Sequence, residues 1–233
     1  MRFEGPLVPA TFLDRPNRFL GVVQVDGSRA HCFIPNPGRM GELLYPGAKV
    51  YMIGRESESR KTSYDLVIVN LDGILVSIDS RVPNKVVAEA IEANQIPEFS
   101  GLRIERGEYT FRDSRLDFLL KGCWEQLLLE VKSCTLVRGG TAFFPDAPTA
   151  RGSKHLKNLV GGLSMGRAAA FFLIQRPDAS LLSPNDATDP EFGLNLRDAA
   201  RRGVEVYAYN SKVTLEGVFI NEEVPVLLDY RNL

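Results

Sequence analysis

The stretch Arg115–Ser133, RLDFLLKGCWEQLLLEVKS, decides how the chain is read. Two apolar runs, Phe118–Leu120 and Leu127–Leu129, flank the polar connection Lys121–Gln126, the pattern of an antiparallel hairpin. With the loop centred between Cys123 and Trp124, Leu120 pairs with Leu127 and Asp117 falls opposite Glu130. Directly opposed residues share a face with Cβ atoms about 5 Å apart. Lys132 shares the face of Glu130, because strand side chains repeat every two residues. The LLLE run has the composition of a central strand buried on both faces, where an unpaired charge is expensive. Two carboxylates and an ammonium group gathered at the end of such a strand therefore point to a site. A hard divalent cation, Mg²⁺ or Mn²⁺, suits oxygen ligands from Asp117, Glu130 and the Val131 carbonyl. Lys132 then assists an attacking water or offsets charge on a phosphate oxygen. The competing reading is a solvated hairpin face with Glu130 paired to Lys132.

Outward from the hairpin, the 233 residues suit one large or two small domains. Apolar content of 44% is enough for a packed core, and a net charge of −1 gives no global pull toward nucleic acid, so any such binding has to use local patches. Cys32, Cys123 and Cys134 form no CxxC and no Cys/His cluster, which argues against a disulfide framework or a zinc site. There is no signal-like apolar stretch and no run long enough to span a bilayer, so the expectation is a cytoplasmic protein without a membrane partner.

Residues 1–83 read as all-β, with strand-like runs at Arg18–Val25, Arg29–Ile34, Lys49–Ile53, Tyr64–Asn70 and Ile74–Ile78. Asp26-Gly27 and Asp72-Gly73 fit tight hairpin turns. About five short strands suggest an OB-like barrel, a fold that often binds nucleic acid or sugars. Its basic patches are Arg15/Arg18 and Arg55/Arg60/Lys61. A second domain, 84–233, is expected to open with Asn84 as N-cap of a helix over Lys85–Asn94, followed by a strand at Ile104–Phe111 and then the hairpin. Helix, strand, hairpin is the opening order of the PD-(D/E)xK nuclease core, whose leading helix often supplies a third carboxylate. Glu89 would fill that place. Thr149–Leu163 is helical on the spacing of Leu156, Leu159, Val160 and Leu163, with Arg151, Lys154 and Lys157 on the other side and His155 at the margin. Such a basic face could meet a phosphate backbone. Ala168–Ile174 and Val204–Tyr209 read as parallel strands joined by a helix over Asp189–Arg202, with Gln175 and Arg176 just beyond the first strand's end.

The stretches RFLGVVQVDG (18–27), HCFIPNPGRMG (31–41), SRLDFLL (114–120), LEVKSCTL (129–136), FPDAPTARGSKHL (144–156) and GVEVYAY (203–209) resemble the sugar fermentation stimulation protein A (SfsA) family over nearly the whole chain. That family typically has Pro-Asn-Thr-Gly where this chain has Pro35-Asn36-Pro37-Gly38, a departure that removes a hydroxyl and a backbone donor. The resemblance implies an OB-like domain followed by a PD-(D/E)xK-like α/β domain. It implies DNA binding without sequence preference and a regulatory role in sugar, especially maltose, metabolism. The nuclease-like residues carry over as Asp117, Glu130 and Lys132. An active nuclease is the alternative to a pure DNA-binding module, an oligosaccharide-binding module is a third class, and the oligomeric state, a homodimer included, stays open.

Overall fold

The computed structural model describes residues 1–55 and 61–229. The first six strands are β1 (Leu7–Asn17), β2 (Leu20–Val25), β3 (Ser28–Phe33), β4 (Lys49–Gly54), β5 (Tyr64–Leu71) and β6 (Ile74–Ser77). They run β3-β2-β1-β4-β5-β6, and parallel pairing of β3 with β5 through Cys32↔Tyr64 and Phe33↔Asp65 closes a five-stranded barrel. Asp26-Gly27 and Asp72-Gly73 each take positive φ at both residues, the geometry that lets a two-residue turn match strand twist. Phe12, Val23, Cys32, Met52 and Leu66 fill the barrel.

β1 is a strand that the sequence reading left unassigned, and it contains Pro9 and Pro16. The structure shows why Pro9 is tolerated. Leu7–Ala10 pair with β4 alone and β2 joins from Thr11 onward, so Pro9 has an open side for its missing donor.

The remainder comprises α1 (Val82–Glu92), a 3₁₀ turn (Pro97–Phe99), β7 (Arg103–Phe111), β8 (Ser114–Lys121), β9 (Gln126–Cys134), β10 (Val137–Arg138), β11 (Thr141–Phe144), α2 (Ala150–Gly162), β12 (Arg167–Ile174), β13 (Leu181–Pro184), α3 (Pro190–Arg201), β14 (Glu205–Val213) and β15 (Val218–Glu223). The main sheet runs β15-β14-β12-β9-β8-β7, and β10-β11-β13 form a small second sheet. β9, β12 and β14 are parallel, as a strand–helix–strand connection through α3 requires. Thr149 and Asp189 cap α2 and α3 by accepting from the backbone N–H of Gly152 and Phe192.

β9 and β12 are buried on both faces. Leu127, Leu129, Ala169, Phe171 and Leu173 pack toward α1, while Leu128, Ala168, Ala170, Phe172 and Ile174 pack toward α2 and α3. The α1-side core also takes in Ile53, Val67 and Ile68 of the barrel, so the two halves share apolar contacts. Ser77 bonds twice to Gln175, by its N–H at 2.9 Å and its hydroxyl at 3.0 Å. Gln175 thus joins barrel to sheet, and Arg176 pairs with Asp178; neither lines the cleft described below.

Candidate functional site

The hairpin register is Phe118↔Leu129, Leu119↔Leu128, Leu120↔Leu127 and Lys121↔Gln126. One step further, where Asp117 opposes Glu130, the side chain of Asp117 takes over from the backbone ladder. Its Oδ2 accepts the Val131 N–H at 2.7 Å, and its Oδ1 accepts Asn84 Nδ2 at 2.7 Å. In a β-ladder both polar groups of a residue face the same neighbour, so the Val131 carbonyl emerges on that same edge of β9.

Glu130 is 3% exposed and Lys132 8%. Lys132 Nζ donates to Glu130 Oε1 at 2.6 Å, and His155 Nδ1 makes a second, short hydrogen bond to the same oxygen. Arg151 Nε reaches His155 Nε2 at 3.4 Å. Glu130 Oε2 is buried and has no hydrogen-bond partner among the described residues. Burial opposes the charge of both acids, with different outcomes. It raises the Asp117 carboxyl above its usual range, with the charge of Glu130 adding to the effect. At Glu130, burial is outweighed by the Lys132 ammonium and the His155 contact, which together hold the carboxyl below its usual range.

These groups line a cleft of about 530 Å³ between barrel and sheet. Arg18 and Asn36–Gly38 of the barrel form one wall; the Phe144–Pro148 loop and the start of α2 form the other. Among the described residues no three His, Cys, Asp or Glu side chains converge into a metal cage. The donor set is a partial one, the kind a hard cation completes with water or phosphate. The unpartnered Oε2 beside a second carboxylate fits such an ion.

Asp117, Glu130, Val131 and Lys132 therefore line one cleft, and Arg18, Arg151 and His155 line it with them. His155 is 4% exposed at the centre of the site and not a marginal cation on a helix surface. The expected basic face of α2 disperses: Arg151 turns to the cleft, Lys154 pairs with Asp113 at 3.0 Å, and Lys157 faces Glu191 at 3.7 Å. Arg15 is committed to backbone carbonyls of Arg39, Arg18 and Asn36 at 2.6, 2.7 and 3.1 Å, so it clamps the barrel wall of the cleft. Lys61 is exposed in the connection before β5, away from the cleft, and Arg60 lies outside the described residues.

Glu89 is not brought to the site. It is 59% exposed and pairs with the Met1 amine at 2.6 Å in a separate pocket. The reason is helical phase. α1 begins at Val82, so Asn84 lies within its first turn and is not its cap. Asn84 faces Asp117, and Glu89, five residues on, is rotated by about 140° to another face. Asn84 is the site residue that sequence reasoning missed, and its role as presumed cap concealed it.

A family profile described as "Sugar fermentation stimulation protein RE domain" matches residues 81–217, and one described as "SfsA N-terminal OB domain" matches residues 13–78. The sugar fermentation stimulation protein homolog of Moorella thermoacetica is 47% identical over 229 residues, covering 95% of this chain and 96% of that one. The homolog from Caldanaerobacter subterraneus is 42% identical, covering 98% and 100%. The solved structure of Pyrococcus furiosus SfsA in complex with Ca²⁺ superposes with a TM-score of 0.90 at 32% identity, covering 97% of this chain and 98% of that one. No helix among the described residues is long and apolar enough to cross a membrane. With both halves matched and the relatives covered nearly end to end, the chain belongs to the sugar fermentation stimulation protein (SfsA) family.

Proposed function

We propose that the protein binds DNA without sequence preference in the cleft between its two halves and hydrolyses it with a divalent cation, Mg²⁺ or Mn²⁺. The observation that carries this reading is Glu130 Oε2, a buried carboxylate oxygen without a hydrogen-bond partner among the described residues, beside the half-buried Asp117. Leaving such an atom unpaired costs about 1–3 kcal/mol or more, which a cation would relieve. Asp117, Glu130 and the Val131 carbonyl would hold it. The Ca²⁺ bound by the P. furiosus relative supports a hard cation of this kind. The ion supplies Lewis-acid polarisation of a phosphate oxygen and a lowered pKa for a bound water.

The protein's own groups do the rest. Asn84 and the Val131 N–H fix the Asp117 carboxylate. Lys132 orients the attacking water and offsets charge on the phosphate. Arg18 and Arg151 take neighbouring phosphates at the rim.

A labelled-DNA cleavage assay with Mg²⁺ or Mn²⁺ tests this. Cleavage by wild type that disappears in Asp117→Ala and Lys132→Ala is the expected result. Salt-sensitive binding with no cleavage would favour the second reading, a DNA-binding regulator of sugar metabolism that does not cut. The naming of the relatives favours that reading, as does the neutralisation of Glu130 Oε1 by Lys132.

A further inference from the structure

We propose that Phe19, Phe33 and an arginine groove beside them form a track that delivers single-stranded nucleic acid to the carboxylates. The fate of the strand at the end of the track rests on the nuclease reading above; the binding itself does not.

Phe19, in the turn between β1 and β2, is 47% exposed. One face of its ring stacks on Phe33, the last residue of β3, at 6.1 Å between centroids and 19° between planes. The Arg81 guanidinium, held by Asp79 at 2.6 Å and Asp65 at 3.2 Å, lies 6.0 Å from the Phe33 centroid. A single exposed phenylalanine is ordinary. An exposed ring supported from behind by a second ring is the construction on which an unpaired base stacks.

The surroundings specify what arrives. Arg15, Arg18 and Arg39 line a groove of about 540 Å³ with Pro37, Gly38 and Pro148, and among the described residues no acidic side chain lines it. Arg18 and Arg39 make no ion pair among the described residues, while Asp146 faces Arg15. The groove shares Arg18, Pro37, Gly38 and Pro148 with the cleft that holds Asp117 and Glu130. Phe33 is three residues before Asn36 of the cleft wall, about 10 Å along an extended chain. Aromatic platform, cationic groove and carboxylates thus follow one another along the same wall. Arginines without a counter-charge match phosphates and give a neutral sugar little. In a duplex each base face is already stacked within the helix, so the free face of Phe19 serves an unpaired strand.

The test is fluorescence anisotropy with a labelled oligothymidine and a hairpin duplex of matched length, in EDTA, on the full chain. Wild type should hold the single strand at least about tenfold tighter than the duplex. Phe19→Ala should weaken single-strand binding by about 5- to 100-fold and leave duplex binding within about twofold, and Phe19→Trp should restore it. Arg39→Glu should weaken single-strand binding and flatten its salt dependence. Equal affinities for the two probes, an indifferent Phe19→Ala, or displacement of the strand by a neutral glucose oligomer would each overturn the track. Binding in EDTA needs no cation, so the two readings fail separately. Wild type that never cuts yet shows Phe19-dependent single-strand binding removes only the nuclease. Wild type that cuts both probes alike, with Phe19→Ala indifferent, removes only the track.

Discussion

Asn84 Nδ2 lies 2.7 Å from Asp117 Oδ1 and donates to it, tying the first turn of α1 to the strand that carries the acid. Among the described residues Asp117 accepts from two donors, this amide and the Val131 N–H, and the second is fixed by the backbone. Removing the amide frees the carboxylate to rotate. Outer partners of this kind typically contribute 10- to 100-fold in metal affinity. Asn84→Ala should therefore weaken Ca²⁺ binding by about that factor in a calorimetric titration, while the melting temperature without metal changes little. Unchanged Ca²⁺ affinity would show that Asn84 has no part in holding the acid.

Arg151 and His155 fix one another. A guanidinium only donates, so the Arg151 contact requires His155 Nε2 to accept, and the remaining proton sits on Nδ1, facing Glu130 Oε1. Oε1 then has two donors, His155 and Lys132, which leaves Oε2 as the oxygen that would meet the proposed ion. ¹⁵N NMR of the His155 ring should show the Nδ1-protonated tautomer, and Arg151→Leu should release it to a mixture. His155→Leu should destabilise the protein by about 1–3 kcal/mol by stripping a buried donor. His155→Gln, which keeps one, should recover most of that loss in a urea melt.

The hairpin was legible in the sequence because apolar runs and a short polar loop fix register with no outside information, and Leu120↔Leu127 is the pair that results. Asp26-Gly27 was legible for the same local reason. What the sequence concealed depends on phase or on distant packing. Shifting the start of α1 from Lys85 to Val82 exchanges Glu89 for Asn84 at the site. The dispersal of Lys154 and Lys157 depends on Asp113 and Glu191, which lie 41 and 34 positions away in the chain. His155 looked marginal on a helical wheel because nothing local announces a buried acid on a strand twenty-five residues earlier.

Stability should respond to pH in opposite senses at the two acids. The folded-state pKa of Asp117 is raised by burial, so its ionisation disfavours the fold, and this effect grows as pH rises through that pKa. Asp117→Asn should therefore raise the melting temperature in EDTA at neutral pH, by about 2–4 °C for each kcal/mol recovered, and Ca²⁺, which should stabilise wild type, should no longer do so. Glu130 behaves inversely. Its folded pKa is depressed, so its contribution is present above the ordinary glutamate range and lost as pH falls through the folded value. Glu130→Gln should flatten the acid limb of a melting-temperature profile below about pH 4.5. Identical acid limbs in mutant and wild type would show that Lys132 and His155 give Glu130 no net stabilisation.

Gly38 and Asp146 meet across the mouth of the cleft. A Cβ on Gly38 would overlap Asp146 Oδ2 and press on Asn36 Oδ1 at 3.0 Å. Pro37-Gly38 reads as a turn in the sequence, but the requirement for glycine here comes from packing, since the barrel wall approaches the opposite loop without room for a methyl group. Asn36 cannot yield easily, because its side chain accepts the Gly38 N–H at 2.8 Å and donates to the Ile78 carbonyl at 2.8 Å. Relief must come from Asp146 and its loop. Gly38→Ala should destabilise by about 1–3 kcal/mol, the usual range for an overpacked contact, and should widen the cleft. Adding Asp146→Ala removes the obstructing carboxylate, so the double variant should be more stable than the sum of the two single changes predicts, with a coupling of at least about 0.5 kcal/mol. Additive losses in that cycle would place the cost of the alanine in the backbone of the turn and not in the contact between the two halves.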